Sequence, residues 1–351
     1  MNKNETIALK GIAILKMFWH HLFGCENFLV LPENEFLNCF GKYDAVFGHG
    51  CKLCISVFAF VSGYGFYLSY IQEHKREIGP IIYKFLLSYW TVMFGISIPY
   101  LIYFHHFNIS YLFVNLFALL HNDEMLYVSF SWYAKVYMLL LLLLPLLRKI
   151  QACGNDLFSD ILLIALPLVL RDHLPDSEAN FQNIGIFVLS SIRLLFTWFP
   201  IFYVGMLYAK YNIFERMNNE SLKRGLYILE ITASFFLILL AIYEFGRVED
   251  IILVQLFVVG YHNIYSKMNA RFFTKLLVFL GNYSFQYWLI SGMFFLNTTE
   301  LQWILFLPRY TIVILIWSFV VILPFAIITK WLSNLVYQKT LMALNPLGKT
   351  T

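Results

Sequence analysis

The chain of 351 residues is 60% hydrophobic, 19% aromatic and only 13% charged, against roughly a quarter charged in an average soluble domain. That composition excludes a soluble enzyme and points to an integral membrane protein. The net charge of +4 follows from where the basic residues stand along the spans, described next, and is not a nucleic-acid footprint.

Apolar runs of about 17 to 25 residues, rising about 1.5 Å per residue, cross a hydrocarbon core of about 30 Å as helices, whereas a β-barrel needs alternating segments about half as long. In chain order the spans fall at about 8–28, 51–71, 81–104, 127–147, 158–170, 184–209, 226–244, 250–265, 272–296 and 309–329. A further run, "ISYLFVNLFALL" at 109–120, is short for a span and fits an interfacial or re-entrant position. The loops between are short, so the whole of 1–351 reads as one membrane domain, an all-α polytopic bundle of about ten transmembrane helices.

Of the 25 Lys and Arg residues, seventeen fall on one side of this arrangement, four (Lys42, Arg171, Arg247 and Arg309) on the other, and four (Lys16, Lys52, Lys135 and Arg193) inside spans. Cytoplasmic loops carry the excess of basic residues. Both termini are therefore expected in the cytoplasm, in a multi-pass protein of the cell (inner) membrane, with 109–120 not crossing. The first run lacks a small-residue cleavage site, so no removable signal peptide is expected.

The first span holds "LKGIAILKMFWHHLFG", Leu9 to Gly24, with two lysines and a histidine pair inside an apolar helix. An ionisable group in the bilayer costs a few kcal/mol, so such groups face a protein-lined or hydrated cavity. At about 100° per residue, Lys10 and His21 lie within about 20° of each other and roughly 16 Å apart along one stripe, with Ala13, Met17 and, slightly offset, Gly24. Lys16 and His20 form a second stripe about 100° away. The Lys10 stripe favours His21 as the histidine that faces a site; the plainer alternative is a histidine that only hydrogen-bonds across a helix interface. No metal site is expected, because the two histidines diverge and no carboxylate accompanies them.

Asp160, Glu230 and Glu244 stand near the ends of spans. No buried carboxylate is expected to neutralise the deep bases, which suggests a cavity that is hydrated or accepts an anion. Five cysteines include one "CKLC", Cys51 to Cys54, which reads as small apolar packing residues before it reads as zinc or redox chemistry. Ser62-Gly63 suits either close helix packing or a path that brings a bound chain near the backbone. Trp132, Tyr133 and Tyr137 suit an aromatic belt. Lys135, one turn further in, is harder to place there and is expected near an acceptor or an oxyanion. Arg193, deep in its span, is expected to meet an anion or substrate.

Five stretches, quoted as they stand, then bear on function: Lys10-Gly11-Ile12-Ala13-Ile14-Leu15 ending at His21, "VFAFVSGYGF" (Val57 to Phe66), "SWYAKVYMLLLLLLPLL" from Ser131, "YVGMLYAK" from Tyr203 and "LGNYSFQYWLIS" from Leu280. In this order, over almost the entire chain, they resemble the acyltransferase-3 family of membrane acyltransferases. Two positions depart from it. The family usually has arginine where this chain has Lys10, which keeps the charge and loses the bidentate fork, and many members have histidine where this chain has Ser291.

The resemblance implies transfer of an acetyl or other short acyl group from cytoplasmic acyl-CoA, typically acetyl-CoA, to a hydroxyl of a cell-surface or lipid-linked polysaccharide. His21 is then the catalytic residue, as general base or as acyl acceptor. Lys10 meets the coenzyme A phosphates, Ser62 and Gly63 line the donor path, and Trp132, Lys135 and Arg193 are the substrate contacts. A transporter or polymerase of lipid-linked glycans would also carry intramembrane bases, but such transporters tend to show two related halves. No internal repeat is evident, and the first-span histidine has no counterpart in the second half. A non-catalytic sensor or scaffold is a third reading.

Overall fold

The computed structural model describes residues 1–24, 43–72, 77–104, 106–119, 127–128, 132–153, 156–175, 184–217, 247–267, 271–296 and 299–344. The regular structure of these residues is helical. In chain order the long elements are α1 (Lys3–Trp19, continued by a π-helical turn His20–Gly24), α2 (Tyr43–Gln72), α3 (Ile78–Tyr103), α4 (Trp132–Ala152), α5 (Leu157–Arg171), α6 (Ile184–Lys210), α7 (Arg247–Lys267), α8 (Arg271–Leu296), α9 (Thr299–Phe306) and α10 (Thr311–Leu344). Four described helices, α2, α3, α6 and Thr311–Ala343 of α10, are long and apolar enough to cross a membrane. The expected span 226–244 lies outside the described residues.

Local chemistry sets several of these boundaries. α1 starts where Asn2 and Glu5 satisfy each other's backbone N–H groups, the Asn2 side chain accepting from Glu5 N at 2.9 Å and the Glu5 carboxylate from Asn2 N at 3.2 Å, a reciprocal cap. α5 starts at Asp156, whose carboxylate accepts from Ser159 N at 2.9 Å. α3 relaxes into a π-helical turn at Met93–Ser97 just ahead of Pro99, where the missing proline N–H breaks the regular ladder. Three expectations shift. α2 begins eight residues before the expected 51, because Asp44 and Gly48 have partners: Asp44 accepts from Thr311 at 2.9 Å, and the Gly48 carbonyl meets His20. α10 runs to Leu344 rather than 329, since Thr340 hydrogen-bonds Tyr83 of α3 at 3.0 Å and Tyr337 packs on the Tyr83 ring. Finally, the expected loop after 296 contains the short helix α9.

The relative direction of the helices follows from who meets whom. α1 and α2 are antiparallel: the Met1 ammonium donates to Tyr64 at one end, and Trp19 Nε1 to the Asp44 carbonyl at the other. α1 and α8 run parallel from a crossing where Gly11 lies against Leu277 and Gly281 against Ile7. A Cβ on Gly11 would stand 2.1 Å from the Leu277 carbonyl oxygen, and one on Gly281 would stand 1.8 Å from that of Ile7, so only glycine allows the approach. Further along, Phe18 meets Tyr287 and Phe295 of α8 at ring distances of 5.8 and 5.3 Å. α5 and α6 are antiparallel, Asp160 pairing with Lys210 and Arg193 reaching the Leu174 carbonyl. The starts of α1, α3, α5 and α8 thus share one end with the finishes of α2, α4, α6, α7 and α10, through Tyr64–Phe214, Gln151–Tyr203, Glu5–His262, Tyr83–Thr340 and Lys330–Asn282. We call it the N-terminal end.

Carboxylates are better buried than the sequence suggests. Glu5, Asp44 and Asp160 are 3%, 2% and 0% exposed. They are missed because each sits at a helix end, where hydropathy is low, yet each is enclosed by partners from another helix: His262 Nδ1 at 2.5 Å for Glu5, Thr311 for Asp44, and Tyr203, Lys210 and Tyr211 at 2.6 to 2.7 Å for Asp160.

Candidate active site

A cavity of about 710 Å³ lies between α1, α2, α3, α4, α8 and α10. Its rim, at the N-terminal end, includes the exposed residues Glu77, Pro80 and Lys84 and the half-buried Tyr337. The helix directions explain this wall: α3 begins and α10 finishes here, so the starting turns of one and the last turns of the other face the same opening. Lys84 carries its ammonium over the Tyr337 ring, 5.5 Å from the centroid, a cation–π pair at the rim. Lys10 lines the same cavity from α1. Among the described residues no carboxylate forms an ion pair with either ammonium, so two cations are available to an anion entering here.

Beyond the rim the lining turns aromatic. Phe58 of α2, Phe85 of α3, Tyr137 of α4 and Phe285 of α8 surround the middle, with the hydroxyls of Ser62, Ser88 and Ser284 between them. Ser88 and Ser284 donate to their own helices, to Lys84 O at 3.0 Å and Gly281 O at 2.9 Å. The inner wall is Tyr133 against Trp288, ring centroids 5.2 Å apart. Two lysines against one glutamate, an aromatic throat and a few hydroxyls suit a ligand with an anionic head and a long, mostly apolar arm.

The two histidines lie beyond that wall. At His20–Gly24 the helix loosens into a π turn, so the even step of about 100° no longer carries from Lys10 to His21. His20 turns toward α2, its Nδ1 2.8 Å from the Gly48 carbonyl oxygen. The approach is close because Gly24 and Gly48 are in backbone contact, a Cβ on either meeting the other within 2.5 Å. His21 turns toward α8, its ring 6.2 Å from that of Phe295. Ser291, one turn before Phe295, is fully buried and donates to the Trp288 carbonyl at 2.9 Å. A single α8 segment therefore runs from the inner wall of the cavity at Trp288 to the surroundings of His21.

Of the residues singled out from sequence, the structure brings Lys10 and Ser62 into one cavity. Gly63 is a crossing point instead: a Cβ there would stand 1.8 Å from the Phe202 carbonyl oxygen, and one on Gly205 2.1 Å from that of Phe60. Trp132 packs on Trp198 of α6 at 5.9 Å. Lys135 is 1% exposed and holds its ammonium over the Phe187 ring at 4.4 Å. Arg193 donates to the Leu174 carbonyl at 2.6 Å and so ties α6 to the end of α5. The belt reading of Tyr133 and Tyr137 is corrected: Tyr133 is 4% exposed, and Tyr137 packs on Phe66 and Phe85, because both face neighbouring helices and not lipid. Lys84, Tyr133, Trp288 and Tyr337 were not selected from sequence. Lys84 is one of the seventeen bases on the cytoplasmic side in the sequence, although a lysine inside the expected span 81–104 is itself a cue to a wetted face.

A bundle of long apolar helices with a cavity lined by lysines, hydroxyls and aromatic rings defines the class, a helical membrane protein with an internal site. Residues 5–334 match the model of the acyltransferase-3 family, described as an acyltransferase domain, and the chain belongs to that family. It is accordingly a membrane acyltransferase. No curated protein and no solved structure matches it.

Proposed function

We propose that this acyltransferase moves an acetyl or other short acyl group from cytoplasmic acyl-CoA to a hydroxyl of a cell-surface or lipid-linked polysaccharide. The observation that supports this reading is the cavity, whose lysines and aromatic throat lead to Trp288 of α8, the helix that half-buried His21 faces at Phe295. With the N-terminal end in the cytoplasm, as the lysine and arginine bias implies, the mouth faces the compartment that holds acyl-CoA. The phosphates sit between Lys10 and Lys84, and the pantetheine arm passes Phe58, Phe85 and Phe285. The thioester then comes to the inner wall at Trp288, from which α8 continues to Phe295 beside His21.

In the transfer, His21 takes the proton of the acceptor hydroxyl as its oxygen attacks the thioester carbon. The C–S bond breaks, a C–O bond forms, and the proton passes on to the thiolate of coenzyme A. The test is the acetyl content of the surface glycan, read by its methyl signal in NMR from cells with and without the gene. Loss of the signal on deletion, restored by the wild-type gene, is expected; an unchanged glycan together with no transfer from labelled acetyl-CoA in membranes overturns the reading.

The two cavity lysines give a second expected result. Each acts as a point charge, Lys84 at the exposed rim and Lys10 half-buried in the lining, worth about 1 to 2 kcal/mol toward a phosphate, so Lys10→Ala and Lys84→Ala should each weaken coenzyme A binding by roughly tenfold. Lys10→Arg should keep or improve it, since the fork binds phosphate through two parallel bonds. Titration of purified protein with coenzyme A checks this, and alanine variants that bind as well as wild type refute the placement of the phosphates.

A further inference from the structure

Tyr133 stands in the inner wall of the cavity and is 4% exposed, its ring held edge-on by Trp198 at 6.2 Å and tilted against Trp288 at 5.2 Å. Its hydroxyl is buried and meets no hydrogen-bond partner. Among the described residues it is the cavity-lining side chain whose buried polar atom is left in this state; Ser88 and Ser284, in the same walls, are satisfied by their own helices. A buried hydroxyl without a partner forfeits interactions that it had before folding, and such groups call for an explanation. Phenylalanine would fill the same aromatic setting without that loss, so the hydroxyl does not serve the fold.

We infer that the Tyr133 hydroxyl is a catalytic hydrogen-bond donor to the carbonyl oxygen of an acyl thioester bound in this cavity. The inference rests on the donor reading above and adds to it the group that receives the developing negative charge. Position supports it, since Tyr133 lies in the buried wall of the cavity against Trp288, whereas Lys84 stands at the exposed rim. From Trp288 the same helix continues to Ser291 and to Phe295 beside His21. An acyl carbon attacked with the help of His21 has to lie between these two points. As the acceptor oxygen adds and the carbonyl π pair moves onto oxygen, the Tyr133 O–H strengthens its bond to that oxygen. When the pair returns and the C–S bond breaks, Tyr133 is unchanged, and the acceptor proton ends on the coenzyme A sulfur. A donor already fixed in a dry wall costs no reorganisation at that moment.

Tyr133→Phe is the test. Acyl transfer from acetyl-CoA in membranes should fall on the order of a hundredfold at matched expression. Binding of free coenzyme A should stay as in wild type, while any preference for acetyl-CoA over coenzyme A should shrink, because the lost bond is to the acyl carbonyl. The thermal midpoint should hold or rise. A variant that transfers at the wild-type rate with an unchanged preference overturns the inference, and so does a lower midpoint, which would show the hydroxyl to be structural. A wild-type protein that binds no acyl-CoA overturns instead the donor reading on which this rests.

Discussion

Replacing Asp160 with alanine should cost about 3 to 5 kcal/mol of stability, the usual result of removing one partner from a buried ion pair. The carboxylate is fully buried and accepts three hydrogen bonds, from Tyr203 at 2.6 Å, Lys210 at 2.7 Å and Tyr211 at 2.6 Å. Tyr203 in turn accepts from Gln151 of α4 at 2.9 Å, so one side chain near the start of α5 fastens the finishing turns of both α4 and α6. Its loss takes from the Lys210 ammonium, only 14% exposed, the carboxylate that it pairs with at 2.7 Å. Removing the cation as well should recover part of the loss, so Asp160→Ala with Lys210→Met should melt above Asp160→Ala alone in detergent. Additive losses would mean that the two residues do not act as a pair.

That knot shows why the sequence discloses helices more readily than their fastenings. Hydropathy along 158–170 and 184–209 is enough to place α5 and α6 within a residue or two, because apolar run length is a property of neighbours in the chain. Asp160 sits at the edge of its run and reads as a residue near water. Its burial is decided by Lys210 and Tyr211, about fifty residues away, and only the antiparallel packing of the two helices brings them together. Glu5 and His262 repeat the pattern over a still longer separation.

The candidate site divides along the same line. Lys10 and Ser62 were legible because a lysine in an apolar helix is anomalous wherever it is met and because a serine beside glycine marks a close or wetted face. Tyr133 and Trp288 were not, since an aromatic residue in a membrane helix is ordinary. It takes the packing of α4 on α8, and the absence of a partner for one hydroxyl, to set them apart. The step from Lys10 to His21 assumed an even helix. The π turn at His20 breaks that assumption, and nothing in the apolar pattern announces it.

The histidine pair gives the largest expected effect. His21→Ala should leave a folded, inserted protein whose acyl transfer falls by about 10² to 10⁴, the usual contribution of a general base, and by more if the histidine carries the acyl group. His20→Ala should keep most of its activity. The ring of His20 is engaged with α2, its Nδ1 at the Gly48 carbonyl, where its loss removes one hydrogen bond worth about 1 kcal/mol and loosens a helix contact. The ring of His21 faces α8, the helix that also forms the inner wall of the cavity at Trp288. With the looser winding at His20 the separation of the two faces no longer depends on the ideal helical step; it depends on Gly24 meeting Gly48, which holds His20 to α2. Transfer of label from acetyl-CoA, measured for both variants at equal membrane expression, decides between them. Activity lost with His20 and kept without His21 would move the chemistry to the α2 side of the helix; activity kept by both would remove histidine from the mechanism altogether.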